Sequence, residues 1–484
     1  MSEPLDLLVL GGGITGLGIA RLAALNHLRV VLIERGDLAS GTSSVSSHML
    51  HGGLRYLEHG RLHLVREALI ERAALSRMAP ALARPRRFVV PLYRGGRLAP
   101  WKLRLGLRLY DFLAGARGLA PYAMARPREA LELEPALAAQ GLQAAGVYSD
   151  LVMDDARLAI AVARDAEAHG ARIHTYFEPV AAHPGDGGSF SVTARDTLDG
   201  TEHVFECRAI VNATGPWCDA TRRFLSAALA PGSLPPAPLL RPSRGTHLIY
   251  PALTNGHGLL LTARADGRVF FVVPFGDYSL VGTTEIEIPS PPAADSFRPT
   301  LEEVRYLRAE LARAMPGCAA SRPLAVLAGL RPLLASDEAV GHASREHRVI
   351  EERGVFTIAG GKYTTFRAMA RETLERMANR IGRRVALHDS DQPLPLPIVG
   401  PVTLEEIAAH AVEHEFARRI EDVLRRRTLL WLAPDRGRVP ARMLSEFMGR
   451  RLGWSDQRMR DEVANWDASR YDEDALLARV PEEA

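Results

Sequence analysis

The stretch HGGLRYLEHG, residues 51–60, brings a titratable ring, two glycines, a cation and a phenol together near the amino terminus. His51 can take up or release a proton near neutral pH, and Arg55 carries a fixed positive charge that suits an anionic group. Tyr56 adds a hydroxyl group next to this cation. Few structural roles need a histidine directly before two glycines, so the stretch indicates a catalytic or binding segment.

A glycine-rich turn precedes this stretch. The pattern G-x-G-x-x-G is formed by Gly11, Gly13 and Gly16, between an apolar run at 5–10 and a segment of helical character. The first glycine permits a tight turn, the second lets the backbone approach a pyrophosphate, and the third brings helix and strand together. Glu34 ends the next apolar run about twenty residues downstream, where a carboxylate can accept hydrogen bonds from a ribose. Together these features predict a dinucleotide site.

A serine-rich segment, SGTSSVSSH at residues 40–48, follows Glu34 by a few positions. It offers many hydroxyl and backbone donors to a bound group. The residues leave both NAD and FAD open, but a flavin cofactor is held along its whole length, so a second contact loop favours FAD. A solvated turn is the alternative interpretation of this segment.

Two further predicted strands end in small residues. One is IVNATGPW, residues 210–217, and the other is FTIAGGKYTTFR, residues 356–367, in which a helix should start near Thr364. A helix start at this point could stabilise negative charge on a flavin ring, and Lys362 would add to the effect. Each turn alone could be a simple strand end, but three such turns favour a cofactor that extends between domains.

The whole chain has 484 residues, which is too many for one simple core and predicts two or three structural units. Its 47% hydrophobic and 24% charged residues are typical of a soluble globular protein, and the net charge of +3 argues against nucleic-acid binding. The cysteines have no CxxC or zinc spacing, so we expect no metal site, no disulfide framework and a reducing compartment; they are Cys207, Cys218 and Cys318. No signal peptide or membrane span is expected, and membrane contact would be peripheral.

The order of elements predicts an α/β chain. Apolar residues at helical spacing predict a helix over 61–78, and capping-box spacing predicts helix starts at Thr300 and Thr403. The middle of the chain is rich in predicted strands such as RVFFVVPF, residues 268–275.

We expect three structural units from this pattern. A nucleotide-binding unit and a β-rich substrate unit are interleaved over residues 1–395, the substrate part lying roughly at 80–150 and 220–330. A helical cap follows over residues 396–484.

Several segments occur in an order that resembles one family. They are DLLVLGGGITGLGIARLAA, DLASGTSSVSSHMLHGGLRYLEHG, DDARLAIAVARDA, VNATGPW, RGTHLIYP, VGTTE, GLRPL and GGKYTTFR. Their combination resembles the FAD-dependent glycerol-3-phosphate dehydrogenases of the aerobic respiratory type, strongly over residues 5–370 and more weakly over 413–428. The sequence departs from the family at His48, where a lysine is usual, and the segment at 398–412 is short.

The resemblance implies a fold and a reaction. The fold would be a Rossmann-type, glutathione-reductase-like FAD-binding domain interleaved with a mixed β-sheet substrate domain, plus a C-terminal helical cap. The reaction would oxidise the C2 hydroxyl of sn-glycerol 3-phosphate to the ketone of dihydroxyacetone phosphate. A hydride would go to flavin N5, a base would take the hydroxyl proton, and electrons would pass to a quinone.

The resemblance also implies roles for individual residues. His51 and His247 are both candidates for the base, with His51 preferred, although a histidine such as His247 on an apolar strand is more often a satisfied core residue. The catalytic set is His51, Arg55, His247 and Lys362, and the substrate-binding set is Arg55, Tyr56, His247, Arg331 and Arg345. Arg331 and Arg345 would hold the phosphate, although Arg331 beside a proline could also be a surface turn residue. The cofactor contacts would be Gly11, Gly12, Gly13, Gly16, Glu34, Arg35, Thr42, Ser43, Ser44, Ser46, Ser47, His51, Gly52, Gly53, Ala213, Thr214, Gly215, Trp217, Gly361, Lys362, Thr364 and Thr365.

The segment at 94–122 mixes basic residues with aromatic and aliphatic ones, namely Trp101, Leu103, Leu105, Leu107, Leu109 and Phe112. This mixture suits an interfacial helix on an anionic bilayer, and the alternative is a core helix with a solvated charged face. The expected partners are therefore glycerol 3-phosphate, a quinone, an anionic membrane surface and a second copy of the chain in a homodimer, with no nucleic acid. The expected location is cytoplasmic, peripheral on the inner face of the cell membrane.

Three other functions remain open at this point. A glycerol-3-phosphate oxidase would pass its electrons to oxygen and form hydrogen peroxide. Another FAD-dependent oxidase would act on an amine or a 2-hydroxy acid and need a carboxylate clamp. A flavin-binding membrane-surface protein without turnover would lack the set of His51, Arg55, Arg331 and Lys362, and all four are present.

Overall fold

The computed structural model describes residues 4–290, 292–335, 346–382, 387–397 and 402–479. The strands are β1 (Leu5–Leu10), β2 (Val30–Glu34), β3 (Met49–Leu50), β4 (Ala83–Tyr93), β5 (Ala123–Ala125), β6 (Leu142–Met153), β7 (Arg172–Thr175), β8 (Phe177–Pro184), β9 (Phe190–Asp196), β10 (Glu202–Asn212), β11 (Ser243–Pro251), β12 (Gly258–Thr262), β13 (Val269–Phe275), β14 (Tyr278–Gly282), β15 (Ile286–Glu287), β16 (Ala325–Arg331), β17 (His347–Glu352) and β18 (Val355–Gly360). The helices are α1 (Ile14–Leu25), α2 (Leu62–Met78), α3 (Pro100–Ala114), α4 (Pro127–Leu133), α5 (Asp155–Ala168), α6 (Cys218–Leu229), α7 (Leu301–Ala314), α8 (Phe366–Met377), α9 (Leu404–His414), α10 (Ile420–Asp422), α11 (Arg438–Leu452) and α12 (Asp456–Ala478).

The first sheet is built around β1, which pairs in parallel with β2 on one side and β10 on the other. Its order is β17-β18-β10-β1-β2-β7, and β8 and β9 extend it beside β10. All six residues of β1 are buried, as expected for a central parallel strand covered on both faces. The predicted strand, helix and strand at the amino terminus are therefore confirmed.

The helices α1, α5 and α8 cover one face of this sheet. Helix α1 is buried on nearly all sides, because it packs against both α5 and α8. A Cβ atom at Gly18 would overlap the ring of Phe366, so the absence of a side chain there permits the close approach of α1 to α8. This packing holds the amino terminus of α1 at the carboxyl end of β1, where a ligand can reach it.

The second sheet has the order β15-β11-β14-β13-β12-β4-β6-β3, with β16 beside β11 and β5 beside β6. It is mixed, because β4 and β12 run in parallel while its other pairs are antiparallel. The short strand β3 follows directly after the serine-rich segment, so the chain passes from the first sheet to the second at this point. The predicted fold class, with a Rossmann-type unit interleaved with a mixed sheet, is confirmed.

The last helices form a cap on the second sheet. Apolar residues of α9, α11 and α12 pack with residues of β11, β13 and β16 in one core cluster. The cap is also joined to the first sheet by buried ion pairs of Arg426 and Arg427 with Asp37. Arg157 of α5 donates two hydrogen bonds to Glu415, at 2.7 and 2.6 Å.

The predicted capping boxes are present. The hydroxyl of Thr300 accepts a hydrogen bond from the backbone N–H of Glu303 at 3.3 Å, and α7 starts there. The hydroxyl of Thr403 accepts one from the N–H of Glu406 at 3.2 Å at the start of α9. The predicted helix over 61–78 is α2.

Helix α3 divides its apolar residues between two faces. Leu103, Leu107 and Tyr110 are buried against β6 and its neighbours, so these two leucines are not available to a bilayer. Trp101 is 65% exposed, and Leu105 and Phe112 are 61% and 78% exposed. Within the described ranges, no helix combines the length and the hydropathy that crossing a membrane requires.

Candidate active site

A cavity of about 1020 Å³ lies between the two sheets. From the first sheet it is lined by the residues that follow β1, β10 and β18, and from the second by residues of β11 and β16. Ligands of open α/β sheets bind at the carboxyl ends of the strands, and small-molecule pockets reach about 1,000 Å³. The cavity therefore has room for an extended cofactor with a small substrate.

Eighteen of the residues expected at the site line this cavity. They are Gly11, Gly13, Glu34, Arg35, Thr42, Ser43, Ser46, Ser47, His51, Ala213, Thr214, Gly215, Trp217, His247, Arg331, Gly361, Lys362 and Thr364. The side chain of Arg55 and the whole of Arg345 lie outside the described residues.

The glycine-rich turn after β1 lies close to the backbone that follows β10. Gly11 has φ of +109°, and a Cβ atom there would lie against the carbonyl group of Ala213. A Cβ atom at Gly16 would overlap the carbonyl oxygen of Gly11, so Gly16 shapes the turn without lining the cavity. Gly13 itself offers no side-chain acceptor to α1, whose first N–H, that of Ile14, donates to Ser43, and the first turn of the helix has no acidic residue. The positive end of the helix dipole is thus available to an anion such as a pyrophosphate.

The carboxylate of Glu34 is oriented by two backbone amides. Its Oε2 accepts a hydrogen bond from the N–H of Gly12 at 2.6 Å, and its Oε1 accepts one from the N–H of Gly36 at 2.9 Å. Burial raises the pKa of Glu34 above its ordinary value, and these amides act in the opposite direction. Gly12 therefore helps to orient Glu34 and does not itself line the cavity. The arrangement leaves a fixed acceptor that suits ribose hydroxyl groups.

Aromatic groups form another wall of the cavity. The guanidinium of Arg35 lies 4.7 Å from the ring centroid of Trp217. Phe297 stacks on the same indole at 5.3 Å between centroids. Phe297 was not expected from the sequence, because nothing in its local pattern distinguishes it from a turn residue. Such planar groups suit a heteroaromatic ring system.

The serine-rich segment is tied to both sheets. The hydroxyl of Thr42 donates to the carbonyl of Leu330 at 2.5 Å, and the hydroxyl of Ser43 accepts from the N–H of Ile14 at 3.0 Å. Ser46 and Ser47 also line the cavity. Ser44 points elsewhere in the fold: it lines a second cavity of about 700 Å³ on the other side of this segment.

His247 on β11 is a buried residue with one ring nitrogen engaged. Its Nε2 lies 3.1 Å from the hydroxyl oxygen of Ser47. Its Nδ1 has no hydrogen-bond partner among the described residues, although the side chain is only 3% exposed. Burial, with the charges of Arg331 and His48, lowers the pKa of His247 to about 3. The ring is therefore neutral at physiological pH, and the interpretation of His247 as a satisfied core residue does not account for its Nδ1.

Arg331 ends β16 and lines the cavity with part of its side chain exposed. Its guanidinium donates to the hydroxyl of Thr283 at 2.8 Å and to the carbonyl of Thr284 at 3.3 Å. A Cβ atom at Gly245 on the neighbouring strand would overlap this guanidinium. Gly245 was not predicted as a site residue, although a glycine inside a strand is a signal of close approach by a neighbour. Arg331 is thus held in place as a cation facing the cavity, which suits a phosphate or a carboxylate.

Lys362 and His51 line the same cavity. The ammonium nitrogen of Lys362 lies 3.9 Å from the ring centroid of Tyr56, a distance typical of a cation–π contact. Tyr56 itself packs in the cluster around α3 and does not line the cavity, so its connection to the site is the contact with Lys362. The hydroxyl of Thr365 lies 3.4 Å from the carbonyl oxygen of Lys362, behind the cavity wall.

The two glycines after His51 pack against a buried polar cluster. The N–H of Gly52 donates to the hydroxyl of Tyr110 at 2.8 Å, and this hydroxyl donates to Asp150 at 2.9 Å. Arg72 donates to the same carboxylate at 2.7 Å. Gly52 is buried behind the cavity, and Gly53 has φ of +77°. The cluster fixes the backbone from which His51 projects, and no local pattern in the sequence could have revealed it.

These observations fit a dinucleotide cofactor. The cradle of small residues, the open helix terminus and the carboxylate at the end of β2 provide contacts for a pyrophosphate and a ribose. At the other part of the cavity, His247, Arg331, Lys362 and His51 offer hydrogen-bonding and cationic groups to a small anionic substrate.

Comparison with known proteins identifies two family profiles in the chain. The profile described as FAD dependent oxidoreductase matches residues 6–376, and the one described as the C-terminal domain of alpha-glycerophosphate oxidase matches residues 362–459. Glycerol-3-phosphate dehydrogenase 2 of Mycobacterium bovis is 32% identical over 549 residues, covering 100% of this chain and 90% of the relative. The glycerol-3-phosphate dehydrogenase of Synechocystis is 31% identical, covering 89% of this chain and 82% of the relative.

A solved structure has a similar fold over nearly the whole chain. It is the glycerol-3-phosphate dehydrogenase from Bacillus halodurans complexed with FAD, with a TM-score of 0.74. The superposition covers 98% of this chain and 95% of that chain, at 23% sequence identity. The likeness extends to the helical cap as well as to both sheets.

Proposed function

The chain belongs to the family of FAD-dependent oxidoreductases and, within it, to the glycerol-3-phosphate dehydrogenases, and we propose that it oxidises sn-glycerol 3-phosphate to dihydroxyacetone phosphate. The observation that carries this proposal is the shared cavity. It joins a dinucleotide cradle to a buried histidine and two cations, Arg331 and Lys362. An enzyme that removes hydride from a phosphorylated alcohol needs these elements within one site.

The chain holds FAD with the residues of the first sheet. Backbone N–H groups at the start of α1 would bind the pyrophosphate, and the carboxylate of Glu34 would accept hydrogen bonds from the ribose. When bound, FAD supplies a flavin that accepts hydride from C2 of the substrate. Lys362 and the helix start near Thr364 provide positive charge at the same cavity.

The proton of the C2 hydroxyl needs an acceptor, and two histidines line the cavity. A pKa of about 3 makes His247 a weak base, although its ring is neutral and oriented by Ser47. We therefore assign His247 to hydrogen bonding with the substrate hydroxyl and keep His51 as the base. The cluster of Asp150 and Tyr110 holds in place the backbone from which His51 projects. This suits a general base, which must lie within hydrogen-bond reach of the proton that it accepts.

Arg331 is the proposed phosphate ligand. Its hydrogen bonds to Thr283 and Thr284 fix the guanidinium, and Gly245 leaves the space that it occupies. A guanidinium can bind a phosphate through two parallel hydrogen bonds, which favours phosphorylated substrates over glycerol. Arg55 is proposed as a second cation on the grounds of sequence resemblance alone.

The proposed electron acceptor is a quinone, and helix α3 supports this choice. Trp101, Leu105 and Phe112 are exposed on the face of α3 opposite its buried leucines. Lys102, Arg104 and Arg108 are exposed on the same helix. Apolar and aromatic side chains beside cations suit the interface of an anionic membrane, which is the source of quinones. We accordingly propose peripheral binding at the inner face of the cell membrane, while a homodimer stays a prediction that sedimentation can test.

A glycerol-3-phosphate oxidase is the second candidate, because residues 362–459 match the C-terminal domain of alpha-glycerophosphate oxidase. The two candidates differ in the acceptor only. Turnover in air that yields hydrogen peroxide in equal amount to the product would support the oxidase. Slow turnover in air that a soluble quinone accelerates would support the dehydrogenase.

The test of the proposed reaction is anaerobic. The purified protein is mixed with sn-glycerol 3-phosphate, and the absorbance of oxidised flavin at about 450 nm is followed. Bleaching by this substrate, and not by glycerol or lactate, is the expected result. A yellow protein that none of the three compounds bleaches would contradict the substrate assignment and leave the cofactor assignment intact.

A further inference from the structure

Asp155 is the first residue of α5, and its side chain is only 1% exposed. One carboxylate oxygen accepts hydrogen bonds from the N–H and the hydroxyl of Ser46, at 3.0 and 2.7 Å. The other accepts from the N–H of Ala156 at 2.8 Å and lies 3.5 Å from Nδ1 of His48. The carboxylate thus binds Ser46 and lies close to His48, whose Nδ1 is also 3.2 Å from the carbonyl oxygen of Met153.

The backbone of Asp155 holds a different cavity segment. Its carbonyl oxygen accepts a hydrogen bond from the hydroxyl of Tyr363 at 2.6 Å. Burial, with the nearby charge of Asp155, raises the pKa of Tyr363 well above its ordinary value, so the phenol stays a donor. Tyr363 lies between Lys362 and Thr364, and all three line the cavity. Asp155 is therefore hydrogen-bonded to two segments that both line the cavity.

Ser47 connects Asp155 to the reaction. It directly follows Ser46, which donates two hydrogen bonds to Asp155, and its hydroxyl is 3.1 Å from Nε2 of His247. A shift of Ser46 would move this hydroxyl and change the orientation of the imidazole. Asp155 does not line the cofactor cavity, so it can act on the substrate only through these neighbours.

We propose that Asp155 is a positioning residue that joins the two cofactor-facing segments and, through Ser46 and Ser47, orients His247. This inference deepens the proposed function of the same site and rests on it for the kinetic part. It goes beyond a helix-capping role, because the carboxylate has partners outside α5. The capping role belongs to the preceding residue, Asp154, whose side chain accepts from the N–H of Arg157 at 3.1 Å.

Asp154 therefore offers a matched control. Asp155→Asn keeps the size of the side chain but presents an amide group where the native side chain has only acceptors. Asp154→Asn makes the same chemical change one residue away and preserves the cap, since asparagine is a good N-cap residue. Ser46→Ala removes a partner of Asp155 without altering α5.

The experiment measures the dissociation constant of FAD for each variant. Separately, it measures kcat and KM as a function of pH. For Asp155→Asn we expect the affinity for FAD to fall at least about tenfold, and kcat to fall by a larger factor than KM rises. For Asp154→Asn we expect FAD affinity, kcat and KM each to change by no more than about twofold. In the Ser46→Ala background the effect of Asp155→Asn should shrink, because the hydrogen bond from the Ser46 hydroxyl is already lost and only the bond from the backbone N–H remains.

Equal losses in the two asparagine variants, or full additivity with Ser46→Ala, would overturn the proposal. If Asp155→Asn does not fold, Ser46→Ala and Tyr363→Phe test the same two connections from their partners' side, and wild-type FAD affinity in both would overturn it. FAD affinity is measured without substrate, so a failure of the proposed reaction would leave this readout unchanged.

Discussion

The hydroxyl oxygen of Ser47 lies 3.1 Å from Nε2 of His247, although the two residues are 200 positions apart in the chain. Ser47 belongs to the segment that leaves the first sheet, and His247 belongs to the second sheet. Their contact therefore joins the proposed cofactor side of the cavity to the proposed substrate side. Since burial keeps the His247 ring neutral, this contact engages Nε2 and leaves Nδ1 for the proposed contact with the substrate.

Ser47→Ala should lower kcat/KM for sn-glycerol 3-phosphate by about tenfold, the equivalent of one neutral hydrogen bond. Ser44→Ala is the control, since Ser44 faces the second cavity. Steady-state kinetics of the two variants make the comparison, and an equal loss in both would contradict the role of Ser47.

Arg331→Met should raise KM for sn-glycerol 3-phosphate by roughly 10- to 100-fold, because a charge-assisted contact with phosphate is lost. Gly245→Ala should act in the same direction, since its Cβ atom would displace the guanidinium. Arg348→Met, at an exposed position on β17, is the control for removing a positive charge. Unchanged KM in Arg331→Met would mean that the phosphate binds elsewhere in the cavity.

His247 should make the protein sensitive to acid. Its pKa is about 3 in the folded state, against an ordinary value of 6.5 in the unfolded chain, so the unfolded chain binds the proton first as the pH falls. Folding stability should therefore drop by up to about 1.4 kcal/mol for each pH unit between about 6.5 and 3. His247→Gln should lose less stability between about pH 6.5 and 4.5 in urea unfolding of the holoprotein. The exposed His183→Gln is the control and should follow the wild type.

Replacement of Trp101, Leu105 and Phe112 by serine should abolish flotation of the protein with anionic liposomes at low salt. Turnover with a soluble quinone should not change, because these residues do not line the cavity. Val204 and Leu396 are 61% and 53% exposed elsewhere on the surface, so their replacement by serine controls for lost hydrophobicity. A wild-type protein that never floats would contradict the membrane assignment directly.

The glycine turn and the carboxylate on the proposed cofactor side of the cavity could be predicted from short stretches of sequence. The glycine turn at Gly11, the strand before it and Glu34 at the end of the next strand lie within about thirty residues, and local spacing determines how they meet. Gly52 and Gly53 were expected to contact the cofactor, but they are packed behind the cavity wall, where they let the chain approach Tyr110 and Tyr56. Glycine tolerates close approach of any neighbour, so the sequence could not tell whether that neighbour is a ligand or the protein itself.

The amino-acid sequence by itself determined the βαβ unit, the capped helix starts at Thr300 and Thr403, and the strand-ending turns, because each depends on residues within a few positions. Tertiary structure alone decided which residues meet from distant segments. The contact of Ser46 with Asp155 spans 109 positions, and helical periodicity did not show that Leu103 would be buried while Leu105 is exposed. Such pairings depend on how the two sheets and their helices pack, and this packing follows from burial of the whole core rather than from any local pattern.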